Sequence, residues 1–91
     1  MYVSIHHKIT DSQKWDQATK NMMAAIEQGS LPQGLKAVMY LPATDGRQAD
    51  CIWEANSVDA LKAFIEPATS SAAQNEYVPI NAEGALGLPG K

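Results

Sequence analysis

Residues 2–9 alternate. Val3, Ile5, His7 and Ile9 fall on one side and Tyr2, Ser4, His6 and Lys8 on the other. A period of two with β-branched residues predicts a half-buried strand. The period then changes. Asp11 or Ser12 is placed to cap a helix by accepting from its free first-turn amides. Trp15, Ala18, Met22, Ala25 and Ile26 recur at three- and four-residue steps as one apolar stripe. Gly29 and Pro32 end that helix, one for lack of a Cβ and the other for lack of an N–H. Alternation returns over Leu35–Leu41, with Leu35, Ala37, Met39 and Leu41 on one face and Lys36, Val38 and Tyr40 on the other. Thr44-Asp45-Gly46-Arg47 signals a hairpin, because Asp-Gly readily takes positive φ. Residues 49–55 return as a third strand. Ser57 caps a second helix, Asp59 suits its positive end, and Val58, Leu61, Phe64 and Ile65 supply its buried stripe. Pro67 is expected to break or kink this helix, with a further short turn over residues 68–74. Tyr77–Ile80 is a fourth strand, placed at an edge because Pro79 cannot donate to a ladder.

The predicted order is β-α-β-β-α-β, an α+β fold. Aligned on Ile5 and Cys51, the two halves agree in role: His7 meets Trp53, Asp11 meets Ser57 and Trp15 meets Leu61. A split βαβ arrangement requires this, since each helix must pack on the same side of the sheet. Residues 1–83 are expected to form one domain, and the Gly- and Pro-rich residues 84–91 a tail.

Composition narrows the function. A chain of 91 residues makes one domain with a modest core, to which a partner subunit would add stability. The net charge is −3 with seven Lys and Arg and no basic stretch, which argues against nucleic acid and anionic membranes as partners. No apolar run is long enough to span a bilayer, and the start of the chain lacks an apolar signal segment. The single Cys51 suits a reducing compartment, and the expected location is cytoplasmic.

The segment Cys51-Ile52-Trp53-Glu54-Ala55-Asn56-Ser57-Val58-Asp59-Ala60-Leu61, with the element order and length, resembles small proteins of the dimeric α+β barrel superfamily. The resemblance covers about residues 2–82. It implies a ferredoxin-like sandwich, a four-stranded antiparallel sheet with two helices on one face. It also implies a homodimer paired through the open sheet face. The family's order places the first and third strands side by side at the centre, read here as a parallel pair. On that basis His7 and Trp53 are neighbours on the helix-facing side, with Ile5 and Cys51 one pleat away. They floor a pocket walled by Met22, Met23, Met39 and Phe64. Lys8 or His6 is then expected near Glu54, and Ser4 near Asp50.

A neutral-range imidazole is a natural acid, base or anchor, and an indole offers an aromatic platform with one donor. The leading expectation is therefore a pocket for a small aromatic or hydrophobic molecule, with His7 and Trp53 as the chemical groups. Met22, Met39, Cys51, Phe64, Asn75 and Tyr77 are the expected ligand contacts. The resemblance also admits cofactor-free oxidation or isomerisation there, and no cofactor is implied. The alternatives are a packed core without a pocket, with Asn75 a turn residue and Tyr77 edge packing, or metal binding through Cys51 and His7. Nickel-binding members of the superfamily carry a similar strand, but with histidines in or after the second helix. Here that stretch reads Phe64-Ile65-Glu66-Pro67 and Ser70-Ser71-Ala72-Ala73. The haem-degrading members need an Asn on the first strand and a His on the second helix, and this chain has neither.

Overall fold

The computed structural model describes residues 1–89. The elements are β1 (Tyr2–Ile9), α1 (Ser12–Glu27), β2 (Lys36–Pro42), β3 (Gln48–Glu54), α2 (Val58–Thr69) and β4 (Ala73–Pro79), followed by a 3-10 turn at Ala82–Gly84. The strands form one antiparallel sheet in the order β2-β3-β1-β4. The α+β class and the β-α-β-β-α-β order expected from the pattern are present. Val3 and Ile5 of β1, Cys51 and Trp53 of β3, and Leu61 and Ile65 of α2 make the principal core cluster, with Met22 of α1 packed on it. Trp15 of α1 seats against Ala49 and Ala73. Both helices thus cover the face that carries the odd-numbered residues of β1.

One expectation fails in a way that moves the site. β1 and β3 are antiparallel, not parallel. The crossover through α1 returns β2 in the direction of β1. The hairpin at Asp45-Gly46, with Gly46 at φ 71°, then reverses β3. The register is Val3–Trp53, Ile5–Cys51 and His7–Ala49, so His7 and Trp53 are separated along the sheet. The expected polar pairs change accordingly. Glu54 faces Tyr2, Ser4 faces Ile52, and His6 meets Asp50 at 2.8 Å.

Two further boundaries differ. α2 continues through Pro67 to Thr69. Pro already holds a helical φ, and in a last turn it removes only one backbone bond. Buried Ile65 and Thr69 keep the turn on the sheet, and Thr69 Oγ1 donates to Ile65 O at 2.8 Å. In place of a separate short helical turn over 68–74, the chain makes one hydrogen-bonded turn at 70–72, with Ala72 N donating to Thr69 O at 2.9 Å, and β4 begins at Ala73. The inward residues of β4 include Asn75, a polar side chain that hid the strand's alternation. In β2, a bulge between Ala37 and Met39 resets the faces. Tyr40 pairs with Cys51 on the helix side, while Met39 and Leu41 pair with Ile52 and Asp50. β4 is an edge strand, with Pro79 at its end.

Beyond the 3-10 turn, Leu88 is buried and Tyr2 Oη donates to Pro89 O at 3.0 Å. The remainder of the expected tail, Gly90 and Lys91, lies outside the described residues.

The caps are as the sequence predicts. Asp11 accepts from Lys14 N at 3.1 Å and Ser57 from Ala60 N at 3.0 Å. At the far end of α1, Gly29 (φ 66°) permits a Schellman closure in which Ser30 N donates to Ala25 O and Gly29 N to Ile26 O. Asp11→Ala and Ser57→Ala are each expected to cost about 1 kcal/mol. The check is a lower urea midpoint with an unchanged slope.

Candidate functional site

The site is built around His7, which is 3% exposed. Its place on the inner face of a central strand follows from the alternation of β1. The residues beside it are small: Ala49 lies directly across on β3, leaving room for the imidazole. Trp15 of α1 covers it, ring centroids 4.7 Å apart and tilted by 50°. On the other side the β1–β4 register sets Asn75 directly opposite.

The hydrogen bonds define a chain of groups. His7 Nδ1 lies 2.6 Å from Asn75 Oδ1, and His7 Nε2 lies 2.9 Å from Cys51 Sγ. Asn75 Nδ2 donates to Glu66 Oε2 at 2.6 Å and to Thr69 Oγ1 at 2.8 Å. Tyr77 Oη donates to the same Glu66 oxygen at 2.6 Å. This chain settles the tautomer. A carboxylate only accepts, so the amide nitrogen of Asn75 must face Glu66 and its oxygen must face His7. That oxygen can only accept, so His7 carries its proton on Nδ1. Nε2 is then a bare lone pair aimed at the Cys51 thiol, which donates to it.

The electrostatics agree with a neutral pair. Burial lowers the pKa of His7, an effect partly opposed by the bond to Asn75 and by the charges of Asp50 and Glu66. Burial pushes the Cys51 thiol up to about 12, with Trp53 beside it offsetting only part. The Asn75 and Tyr77 bonds hold Glu66 below its usual range, and burial together with Glu66 raises Tyr77. A pH profile follows from these signs. The unfolded chain binds a proton at His7 near pH 6.5 while the folded chain resists it, so stability falls as pH drops below about 6.5. Unfolding also releases the Cys51 proton near pH 9, so stability falls again above that. Urea midpoints are expected to be highest between about pH 6.5 and 9. In His7→Gln the loss between pH 6.5 and 5.5 should be smaller than in the native chain.

A cavity of about 690 Å³ opens between α1 and the β2–β3 side of the sheet. Its lining is largely apolar, with Trp15, Ala18, Met22, Met23, Ile65 and Trp53, and its neutral polar groups are His7, Cys51, Tyr40, Thr19 and Thr69. Of the residues expected from the sequence, His7, Trp53, Met22 and Cys51 lie on this cavity, and Met39 borders it from β2 while pairing with Ile52 on the open face. Three do not. Phe64 packs edge-on against Trp53 at 6.0 Å and lines a separate, smaller depression with Leu35 and Asn56. Asn75 and Tyr77 stand behind His7, and Asn75 is a β4 residue rather than a turn residue.

Sequence reasoning missed four contributors: Trp15, Tyr40, Glu66 and Thr69. Trp15 was legible only as a member of the helix stripe. The bulge concealed the side on which Tyr40 falls. Glu66 and Thr69 are a helical i, i+3 pair that meets β4, which the expected break at Pro67 obscured. Trp15 Nε1 donates to Tyr40 Oη at 3.1 Å, tying α1 to β2 across the cavity. Among the described residues no group of three or more His, Cys, Asp and Glu is placed to hold a metal ion, and no helix is long and apolar enough to cross a membrane.

Residues 2–88 match the family model described as a domain of unknown function, DUF8652. No curated protein matches the chain.

Proposed function

We propose that this chain, which belongs to the DUF8652 family, binds a small aromatic or hydrophobic molecule in the cavity beneath α1, anchored at His7. The observation that carries this reading is the conjunction of a 690 Å³ apolar cavity with an oriented imidazole on its wall. Pockets for small ligands are of this size and are apolar, with few fixed polar groups. Trp53, Trp15, Met22 and Met23 supply the apolar contact. Methionine adapts its shape to an aromatic ring. A ligand hydroxyl is a stronger donor than a thiol, so it can take the His7 Nε2 lone pair from Cys51. The same lone pair can accept a proton from an acidic ligand, as cofactor-free oxidation or isomerisation would require. A free thiol on this wall suits a reducing compartment such as the cytoplasm.

The test is calorimetric titration with 1-naphthol. His7→Ala is expected to weaken binding at least about tenfold, or 1.4 kcal/mol. Binding of unsubstituted naphthalene, which has no hydroxyl to anchor, should fall less. Equal affinity of native and variant chains for 1-naphthol would overturn the anchoring role.

The open face of the sheet supports a second part of this reading, a ferredoxin-like dimer of the α+β barrel kind. Across it runs the row Met39–Ile52–Ser4–Val78, flanked by Leu41 and by the His6–Asp50 pair. Met39, Leu41 and Val78 are exposed in the single chain. A second copy would cover this stripe and leave the polar pairs at its rim. Sedimentation should give a dimer at micromolar concentration, dissociated by Val78→Lys. A native chain that sediments as a monomer would contradict it.

A further inference from the structure

We propose that Cys51 is a nucleophile toward bound α,β-unsaturated carbonyl compounds, with His7 as its general base and Tyr40 as the donor to the carbonyl oxygen. The inference rests on the cavity reading above and deepens it by naming a class of ligand. Three observations carry it.

Cys51 lines the cavity and already donates its proton to His7 Nε2 at 2.9 Å. His7 is held in the tautomer that accepts that proton by Asn75, which is itself fixed by Glu66 and Thr69. A nucleophile, a base and an orienting group in series is the arrangement of an activated nucleophile. Tyr40 lies opposite Cys51 in the β2–β3 register, on the same face. Its oxygen accepts from Trp15 Nε1, and its own O–H has no acceptor among the described residues. A donor is thus available one cross-strand step from the sulfur, where the oxygen of a conjugated carbonyl would lie.

The step balances without an oxidant or a cofactor. The Cys51 S–H proton passes to His7 Nε2 as sulfur bonds to the β-carbon. The C=C electron pair moves to the α-carbon and carbonyl oxygen, where Tyr40 O–H stabilises the enolate. The proton on His7 then passes to the α-carbon. The net change is addition of S–H across C=C, with His7 restored to neutrality. Because the resting pair is neutral, the thiol is protected until a ligand occupies the cavity. His7 is faced by Cys51 from β3, by Asn75 from β4, by Glu66 through Asn75 from α2, and by Trp15 from α1. Asp50 and His6 act on it from the opposite face of the sheet, and Lys20 and Glu27 of α1 are the charged groups on the cavity lining.

The test uses the whole chain with 4-phenylbut-3-en-2-one, an apolar aromatic enone, and its saturated analogue 4-phenylbutan-2-one. The expected result is a single adduct, mapped to Cys51 by peptide mass spectrometry. It should form at least about tenfold faster than the adduct of N-acetylcysteine at pH 7, since a positioned base contributes roughly 10²–10⁴-fold. The native rate should be nearly flat from pH 7 to 8.5. The free thiol's rate rises about tenfold per pH unit below its pKa, in step with its thiolate fraction. Tyr40→Phe should slow the adduct by a larger factor than it weakens binding of the saturated ketone, because a hydrogen bond to the enolate oxygen is stronger than one to the ketone. Saturable binding of the saturated ketone with an adduct rate no faster than N-acetylcysteine would overturn the covalent step and leave the pocket standing. Failure of both ketones to bind, with no adduct at Cys51, would overturn both readings.

Discussion

Asn75→Leu is expected to destabilise the protein by about 2–3 kcal/mol, although it exchanges side chains of similar size. The substitution strands the Nδ1–H of buried His7, and an unsatisfied buried donor costs roughly 1–3 kcal/mol. It also removes the donors that Asn75 gives to Glu66 and Thr69, where Thr69 retains only its bond to Ile65 O. For a domain of this size each kcal/mol moves the midpoint by about 4–8 °C, so Tm should fall on the order of 10–20 °C. A second readout separates this mechanism from simple packing loss. With no acceptor at Nδ1, His7 gains by moving its proton to Nε2 and turning it toward Cys51 Sγ. Nitrogen shifts of the imidazole should therefore report Nδ1–H in the native chain and Nε2–H in the variant. A variant that keeps the Nδ1–H tautomer and native Tm would show that Asn75 does not orient His7.

The second large effect is expected from Ala18→Phe. Ala18 sits on α1 between Trp15 and Met22 in the apolar stripe and lines the cavity. A phenyl ring at this position projects into the space a ligand would occupy. Filling it adds apolar contact rather than forcing a packed core apart, so stability should change by less than about 1 kcal/mol. Affinity for 1-naphthol should fall by about a hundredfold or more, equal to roughly 2.7 kcal/mol. Calorimetry on the native and filled chains checks it, with urea melts as the control for folding. Loss of binding with intact stability places the ligand in this cavity, whereas retained binding would place it elsewhere.

The fold was largely written in the periodicity, and the site only in part. β1 could be read to its ends because Val3, Ile5, His7 and Ile9 alternate without interruption. Asp11, Ser57, Gly29 and the Asp45-Gly46 turn are local signals, and local physics places them. Strand direction is not local. The sense of β3 relative to β1 depends on a crossover followed by a hairpin, and reading the pair as parallel set His7 against Trp53. The antiparallel register instead brings Cys51 diagonally beneath His7 and sets Asn75 across from it. A polar residue on an inward position reads as a turn when its partner is unknown, which is why Asn75 was expected in one. The bulge after Ala37 likewise leaves no mark in the pattern, yet it turns Tyr40 to the helix side. Nothing in the pattern singles out Glu66, whose role arises only because β4 supplies the two donors that it accepts from.

The central claim is that a small hydrophobic molecule occupies the cavity beneath α1, and the methionines report on it directly. The chain has four: Met22 and Met23 of α1 line the cavity, Met39 borders it from β2 while pairing with Ile52 on the open face of the sheet, and Met1 does not touch it. Methyl NMR of methionine-labelled protein titrated with 1-naphthol should show saturable shifts of Met22 and Met23 at one ligand per chain, with Met1 unmoved. Shifts that never saturate, or that move Met1 as much as Met22 and Met23, would contradict it.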